Sequence, residues 1–174
     1  MKRYEKGFTL IEVLVATAIM AMIGAGVTTT AGQIINGSQR NNDWATSVRH
    51  AQNIGYWVRQ DALMAQSVNV TDDPETTDVE FIILDWKDWE TGDTHNIRYI
   101  LLDSADSLKK VQRKELTRDN NGVEIGNDTT FIADNINTAN LSEQDGAWRL
   151  SVEAVSGMKN SAKTYRIGYR IEQY

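Results

Sequence analysis

The sequence predicts an α+β fold in which one long N-terminal helix packs on an antiparallel β-sheet. Apolar residues recur with a helical period in the first part of the chain, and after Pro74 they alternate as in β-strands. Several strand-like runs then follow one another without an intervening helix, which favours antiparallel pairing. We expect four parts: a charged N-terminal segment of residues 1–7, an apolar segment of residues 8–35, an amphipathic helical segment of residues 36–72 and a sheet domain of residues 73–174.

Charge is distributed unevenly along the 174 residues, whose formal net charge is -6. The first seven residues hold Lys2, Arg3 and Lys6 against Glu5, so that the remainder is more acidic than the whole. An acidic body argues against nucleic acid or anionic lipid headgroups as the main partner. The absence of cysteine excludes disulfide scaffolds, thiol catalysis and cysteine-bound metals.

Residues 8–35 form an apolar segment in which Glu12 is the single charge. As a helix its roughly 28 residues would extend about 42 Å, whereas a bilayer core of about 30 Å needs around 20 apolar residues. The segment therefore predicts one membrane-spanning helix. Because Lys2, Arg3 and Lys6 precede it, we expect the N-terminus to be cytoplasmic.

Three interpretations of this segment compete. It could be a secretory signal peptide, for which Ala16-Thr17-Ala18 resembles a cleavage site, or an uncleaved signal anchor. It could also follow a short leader that is removed before the apolar run, so that the helix stays on the mature protein. Glu12 favours the third interpretation, because a carboxylate costs about 2.5–3.5 kcal/mol at the centre of a membrane helix and is by default functional there.

The junction itself resembles the class III signal of type IV pilins and pseudopilins. The residues that carry the resemblance are Lys6-Gly7-Phe8-Thr9-Leu10-Ile11-Glu12-Val13-Leu14-Val15-Ala16. It implies that residues 1–7 are a leader and that a prepilin peptidase cleaves after Gly7 and N-methylates Phe8. It also implies a pilin-like fold, an inner-membrane anchor with an extracytoplasmic (periplasmic) C-terminal domain, and assembly with other subunits on an inner-membrane platform.

Within that resemblance, Glu12 is expected to form an assembly salt bridge. Cleavage creates an α-amino group on Phe8 that is cationic near neutral pH, and Glu12 can pair with this amine on a neighbouring subunit. Major pilins usually carry a proline within this helix, whereas here Val27-Thr28-Thr29-Thr30 has none and Pro74 is the single proline of the chain. The sequence therefore argues against a kinked or melted segment.

Residues 36–72 are predicted to continue the helix as an amphipathic segment. The apolar stripe is Trp44, Val48, Ala51, Gly55, Val58, Ala62 and Ala65, widened by Ile54, Trp57 and Leu63. We expect the helix to run to about Val70 and to stop at Asp72-Asp73-Pro74, because proline cannot continue it.

Residues 73–174 are predicted to form an antiparallel sheet domain of six strands. The candidate strands are 79–84, 96–101, 108–116, 130–133, 148–155 and 165–171. The turn signals between them include Glu90-Thr91-Gly92-Asp93 and Asn120-Asn121-Gly122.

Two further stretches are similar to J-type minor pseudopilins of type II secretion and W-type minor pilins. They are residues 56–68, and Tyr99-Ile100-Leu101-Leu102-Asp103 followed by Leu108-Lys109-Lys110-Val111. The similarity implies a minor subunit of a type II secretion pseudopilus or type IV pilus, in the initiating tip complex. The alternative is a tip-displayed binding module, an adhesin or a DNA-uptake pilin, for which the basic cluster is Lys109, Lys110, Arg113, Lys114 and Arg118.

The sequence otherwise contains few residues in patterns typical of catalysis or metal binding. We therefore predict that the chain is not an enzyme and needs no cofactor. His50 and His95 are the two histidines, and no third residue is placed with them to form a catalytic or metal site. Calcium is the one metal with candidate oxygens, in residues 119–124, which do not match the EF-hand spacing, and in the acids of residues 72–78, which as an acidic loop are more often simply solvated. Trp86 and Trp89 flank a predicted hairpin turn, where an exposed pair would mark an interface.

Overall fold

A computed structural model of the chain describes residues 7–70, 79–104 and 107–168. Helix α1 spans Leu10–Met64. The strands are β1 (Ser67–Asn69), β2 (Glu80–Lys87), β3 (Thr94–Asp103), β4 (Lys109–Arg118), β5 (Glu124–Gln144), β6 (Ala147–Ser156) and β7 (Lys159–Ile167). The C-terminal part of α1 packs on one face of the sheet, so that the predicted α+β, pilin-like class is confirmed.

The sheet is a meander in which each strand pairs with the next one along the chain. Its order is β1-β2-β3-β4-β5-β6-β7, and every pairing is antiparallel. Short hairpin connections suffice for this order, in agreement with the turn signals in the sequence.

Helix α1 ends at Met64, so the prediction that it continues to about Val70 was wrong. The backbone N–H of Gln66 leaves the helical pattern and donates to the carbonyl of Asp85 at 2.9 Å. The side-chain oxygen of Gln66 also accepts from the N–H of Lys87 at 3.0 Å. These bonds direct the chain into β1 at the edge of the sheet, and the predicted stop at Asp72-Asp73-Pro74 lies outside the described residues.

Three features of the sheet differ from the six predicted strands. Strand β1 was not predicted, and β5 covers Glu124–Gln144 where only residues 130–133 were expected. Strand β7 starts at Lys159, earlier than the predicted residue 165, and residues 169–171 of that prediction lie outside the described range.

Strand β5 changes neighbours midway along its length. Residues from Glu124 to Ala133 pair with β4, whereas those from Thr138 to Gln144 pair with β6, and Ile136 pairs with both. Asn135 lies at the change with a positive φ of 56°, a left-handed conformation that asparagine tolerates better than most residues. We call residues 124–133 the first half of β5.

The core lies between the C-terminal part of α1 and the sheet. Ala51, Ile54, Val58, Ala62 and Ala65 are fully buried, which confirms most of the predicted stripe. The stripe was wrong at its margins, because Trp44 is 57% exposed and Leu63 is 61% exposed. The buried strand residues of this core are Phe81, Ile82, Leu84, Ile97, Tyr99, Val111, Ile132, Ala133, Ile136, Ala139, Leu141, Leu150, Val152, Ala154 and Ile167.

Gly55 has a specific packing role in this layer. A Cβ atom at Gly55 would lie 2.6 Å from the ring of Tyr165 on β7, closer than real Cβ contacts. The Tyr165 hydroxyl donates to the carbonyl of Ala51 at 3.2 Å. The missing side chain therefore lets a tyrosine ring lie directly on the helix backbone, at a cost of about 1 kcal/mol in helix propensity relative to alanine.

The chain divides into two compact units after Asn41. In the first unit, the threonine hydroxyls of α1 donate to carbonyls one turn earlier: Thr28 to Gly24 at 2.7 Å and Thr30 to Gly26 at 2.8 Å. These bonds satisfy the hydroxyls within the helix, as an apolar surrounding requires. Residues 24–32 are helical throughout, in agreement with the expectation of an unmelted segment.

Candidate assembly site at the start of the helix

Thr9 and Glu12 form a reciprocal hydrogen-bonded cap at the beginning of α1. The backbone N–H and the hydroxyl of Thr9 each donate to Oε2 of Glu12 at 2.9 Å. The N–H of Glu12 donates back to Oγ1 of Thr9 at 3.3 Å. This is the capping box, in which an N-cap threonine and a glutamate three residues later satisfy each other's backbone donors.

The cap also fixes where the Glu12 charge lies. Oε2 of Glu12 is used within the chain, whereas Oε1 accepts no hydrogen bond from any described residue. The carboxylate lies in the first turn of the helix, where the macrodipole favours negative charge. One oxygen is therefore available to a cation while the other caps the helix.

The predicted cleavage site lies just before this cap. Gly7 and Phe8 precede the first helical residue, and Phe8 is 88% exposed. A bond in non-helical, exposed backbone is accessible to a peptidase. The structure thus places Gly7, Phe8 and Glu12 at one end of α1, while the cleavage, the methylation and the salt bridge remain predictions.

The part of α1 that follows the cap is apolar, and its side chains are exposed. A window of 18 residues has a mean hydropathy of 2.2, and none of it is buried. By length and composition this helix can cross a membrane. A continuous exposed apolar surface of this kind marks a site of contact with a membrane or with other proteins.

A second polar cluster is buried between α1 and the sheet. The guanidinium of Arg113 on β4 donates to Asp61 of α1 through Nε at 2.8 Å and through NH2 at 3.1 Å. The hydroxyl of Tyr99 on β3 donates to the same carboxylate. Burial, together with the adjacent Asp61 carboxylate, raises the pKa of Tyr99 above its ordinary range.

Arg113 is held by more than Asp61. Its NH1 donates to Glu115 at 2.9 Å, and its guanidinium lies 5.4 Å from the centre of the Trp57 ring. Burial alone would lower the pKa of Arg113, but the bonds to Asp61 and Glu115 raise it overall. A permanently charged, paired arginine is suited to holding the helix on the sheet rather than to proton transfer.

The sequence offers a signal for this cluster that we did not use. Asp61 falls on the apolar face of the helix, one residue before Ala62 and three after Val58. A carboxylate on a buried stripe predicts a buried cationic or hydroxyl partner. Its partners on β3 and β4 could not be chosen without the strand register.

The basic cluster considered for DNA contact does not form one surface. Arg113 is buried, and the ammonium groups of Lys109 and Lys110 lie 3.7 Å from Asp103 and from Asp134 respectively. Because neighbouring residues of a strand point to opposite faces, Lys109 and Arg113 lie on one face of β4, and Lys110, Lys114 and Arg118 lie on the other. The burial of Arg113 removes that residue from any DNA contact.

Each histidine makes structural contacts with its neighbours. Nδ1 of His50 accepts the N–H of Asp134 at 3.3 Å. Burial lowers the pKa of His50, although the Asp134 carboxylate opposes the shift. Nδ1 of His95 lies 3.2 Å from the Thr117 hydroxyl, and its ring stacks on Trp86 at 4.9 Å.

Trp86 and Trp89, which flank the predicted hairpin turn, differ in exposure. Trp86 is partly buried, so that Trp89, 68% exposed, is the accessible member of that pair.

Oδ1 of Asp119 accepts the N–H of Val123 at 2.8 Å and that of Asn121 at 2.9 Å, which forms a turn and lowers the pKa of Asp119. Among the described residues no three acidic or histidine side chains group to hold a metal, and the acids of residues 72–78 lie outside that range.

Comparison with known proteins gives one match. The family model of the prokaryotic N-terminal methylation motif matches residues 2–28. Searches of curated proteins and of solved structures gave no match to the chain. The motif, the long N-terminal helix and the antiparallel sheet are together consistent with a pilin-like protein.

The motif also bears on function at a coarse level. It supports a type IV pilin or pseudopilin, a structural subunit rather than an enzyme. It implies processing by a prepilin peptidase and assembly with other pilins. With the apolar helix it fits a protein anchored in the inner membrane.

Proposed function

We propose that this chain is a minor pilin or pseudopilin subunit that assembles through α1 into a type IV pilus or a type II secretion pseudopilus, in its initiating tip complex. The observation that carries the proposal is the Thr9–Glu12 cap. It places a carboxylate with one unused oxygen at the start of an exposed apolar helix that bears the methylation motif.

Processing comes first in the proposed sequence of events. Prepilin peptidase removes residues 1–7 after Gly7, and the same enzyme methylates the new amine of Phe8. This amine is one residue away from the Thr9 N–H that Glu12 already accepts. Cleavage therefore creates a cation beside a carboxylate at the helix start.

Glu12 then directs assembly. Within a bundle of apolar helices, Oε1 of Glu12 pairs with the Phe8 amine of a neighbouring subunit while Oε2 keeps the cap. Each charge offsets the desolvation cost of the other, and a subunit that is out of register leaves both unpaired. The pair thus sets the axial position of one helix against the next.

The apolar part of α1 supplies the contact area. One face carries a shallow groove of about 430 Å³ between Ile23, Val27 and Ile34, where Gly26 leaves room. Small residues let helix backbones approach closely in a membrane. Neighbouring subunits cover this face in the assembled state.

The topology follows from the flanking charges. Lys2, Arg3 and Lys6 keep the N-terminus in the cytoplasm. Residues 8–35 cross the membrane, residues 36–72 continue from it through the rest of α1 and β1, and residues 73–174, which hold the other strands of the sheet, lie in the periplasm. An inner-membrane platform then extracts the processed subunit into the filament.

A minor role is supported by two sequence features. Residues 56–68 resemble the minor subunits named above, and the helix lacks the proline that major pilins usually carry. The similarity does not separate a secretion system from a pilus.

Two matched variants separate the charge of Glu12 from its capping role. Glu12→Gln keeps a capping acceptor but removes the charge, and Thr9→Val removes the two bonds of the Thr9 hydroxyl but keeps the charge. We expect Glu12→Gln, like Glu12→Val, to be cleaved normally but to be incorporated poorly into filaments. Thr9→Val should be incorporated nearly as well as the wild type.

The readout is the fraction of cleaved subunit in sheared filaments against the fraction left in the membrane, by immunoblot. Normal incorporation of Glu12→Gln would contradict the pairing mechanism. Loss of incorporation in Thr9→Val alone would show that Glu12 acts only as a cap.

A further inference from the structure

Among the residues that the structure describes, the first half of β5 pairs with a strand on one side only. It pairs with β4, whereas the pairing with β6 begins at Ile136. The sheet therefore contains an open edge from Glu124 to Ala133, although β5 lies between two strands in the strand order. An open edge presents unpaired N–H and C=O groups to which another chain can add.

One end of this edge is closed by side chains of α1. Nδ2 of Asn53 donates to the carbonyl of Ile132 at 2.6 Å, and Nδ1 of His50 accepts the N–H of Asp134. Between Glu124 and Phe131 the N–H of Thr129 donates to the carboxylate of Asp128 on the same strand at 2.9 Å, and among the described residues no side chain of another element bonds to this backbone. We call residues 124–131 the open edge.

The side chains of the open edge differ between its two faces. Phe131 lies on one face and is 66% exposed, and Ile125, at a register irregularity of the pairing with β4, is 58% exposed. Asp128 points to the other face, directly opposite Glu115 of β4. Glu115 already pairs with Arg113 at 2.9 Å, whereas the Asp128 carboxylate accepts the N–H of Thr129 and has no cationic partner among the residues that the structure describes.

We propose that the open edge binds an extended segment of a partner protein, which adds to the sheet as a strand beside β5. The segment carries a lysine or arginine beside Asp128 and apolar residues over Ile125 and Phe131. Its backbone supplies hydrogen bonds to the open edge, its cation pairs with the Asp128 carboxylate, and its apolar side chains cover two exposed ones.

A partner of different sequence fits better than a second copy of the same edge. Pairing of two copies would bring Glu124 and Asp128 against a strand with the same two acids. Charge on an edge is a common device against self-pairing, and here it also selects a basic partner. The proposal does not depend on the role of Glu12, since the edge lies in the sheet.

The test uses the full chain in detergent micelles and a defined probe. The probe is a capped synthetic peptide of about eight residues, a common strand length, that alternates lysine and valine. Two controls are the same peptide with alternate amides N-methylated and a peptide that alternates glutamate and valine. Hydrogen exchange reports which backbone amides the peptide protects.

We expect the lysine–valine peptide to slow exchange within residues 124–131 about tenfold or more at saturation. The N-methylated and glutamate peptides should give no protection there. Asp128→Lys should weaken binding about tenfold. Glu143→Lys is the matched variant, an exposed acid of β5 in the part that pairs with β6, and should bind as the wild type does.

Three results would overturn the proposal. One is equal binding of the N-methylated peptide, which would exclude strand addition. Another is protection confined to other residues. The third is protection of residues 124–131 that appears without peptide as the protein concentration rises, with a dimer in sedimentation, which would identify a second copy as the occupant.

Discussion

The Asp61–Tyr99–Arg113 cluster predicts that Arg113→Met is strongly destabilising. Arg113 is 7% exposed and makes a two-point contact with Asp61 at 2.8 and 3.1 Å. Methionine fills part of the volume but leaves the buried Asp61 carboxylate with only the Tyr99 hydroxyl as a donor. The perturbation therefore strands a charge inside the protein.

The expected magnitude follows from that stranded charge. Removing one member of a buried pair typically costs about 3–5 kcal/mol, and the lost stacking on Trp57 adds about 0.5–1 kcal/mol. A domain of this size has a free energy of unfolding of about 5–15 kcal/mol. Arg113→Met should thus remove a large fraction of the stability of the sheet domain.

A triple variant tests the reasoning. Asp61→Leu, Tyr99→Phe and Arg113→Met together leave no stranded polar group, and we expect most of the lost stability to return. The assay is urea unfolding of the full chain in detergent micelles, followed by tryptophan fluorescence. A loss below about 1 kcal/mol in Arg113→Met, or a triple variant no better than the sum of its parts, would refute the account.

Three further predictions concern stability. Because the pKa of Tyr99 is raised in the folded protein, the unfolded chain loses the hydroxyl proton first above pH about 10. The free energy of unfolding of the wild type should therefore fall by up to about 1.4 kcal/mol per pH unit there. Tyr99→Phe should show a smaller alkaline loss in urea titrations. Because burial lowers the pKa of His50, the unfolded state binds its proton first as pH falls below about 6.5. The wild type should therefore be less stable in acid, and His50→Gln should flatten the melting temperature between about pH 5 and 8. Gly55→Ala should destabilise by about 1–2 kcal/mol despite its better helix propensity, because the new methyl displaces the Tyr165 ring; an increase in the urea midpoint would contradict this.

The helix and its buried face were predictable because their signal is local. Ala51, Val58, Ala62 and Ala65 repeat with the helical period, and each is buried. The exposure of Trp44 was not predictable in the same way, since periodicity gives a direction around the helix but not how far along it the sheet extends. The position of the partner layer decides which residues of a stripe are covered.

Strand β1 and most of the first half of β5 were not predicted, because they form through pairing with a neighbouring strand rather than from their own sequence. Strand β1 has three residues and forms because Gln66 bonds to β2. The stretch Gly126-Asn127-Asp128-Thr129 has neither alternation nor strong strand propensity, and it is extended because β4 lies beside it. Such segments carry too little local signal for sequence reasoning.

The assembly site shows the reverse case. Thr9 and Glu12 have the three-residue spacing of a capping box, so the cap that the structure contains could have been predicted from the sequence alone. The prediction for Glu12 rested on its charge alone and did not include its hydrogen bonds to Thr9. The remaining consequence, pairing with a neighbouring subunit, depends on a partner rather than on this chain.

The most direct test of the account is the N-terminus of this chain inside the filament that contains it. Filaments sheared from cells and the remaining membranes are separated, and the protein from each is analysed by intact mass and N-terminal peptide mass spectrometry. The account predicts a filament-borne chain that begins at Phe8 and carries one methyl group on its amine. A chain that begins at Met1 or beyond Ile35, or one that never leaves the membrane fraction, would contradict it.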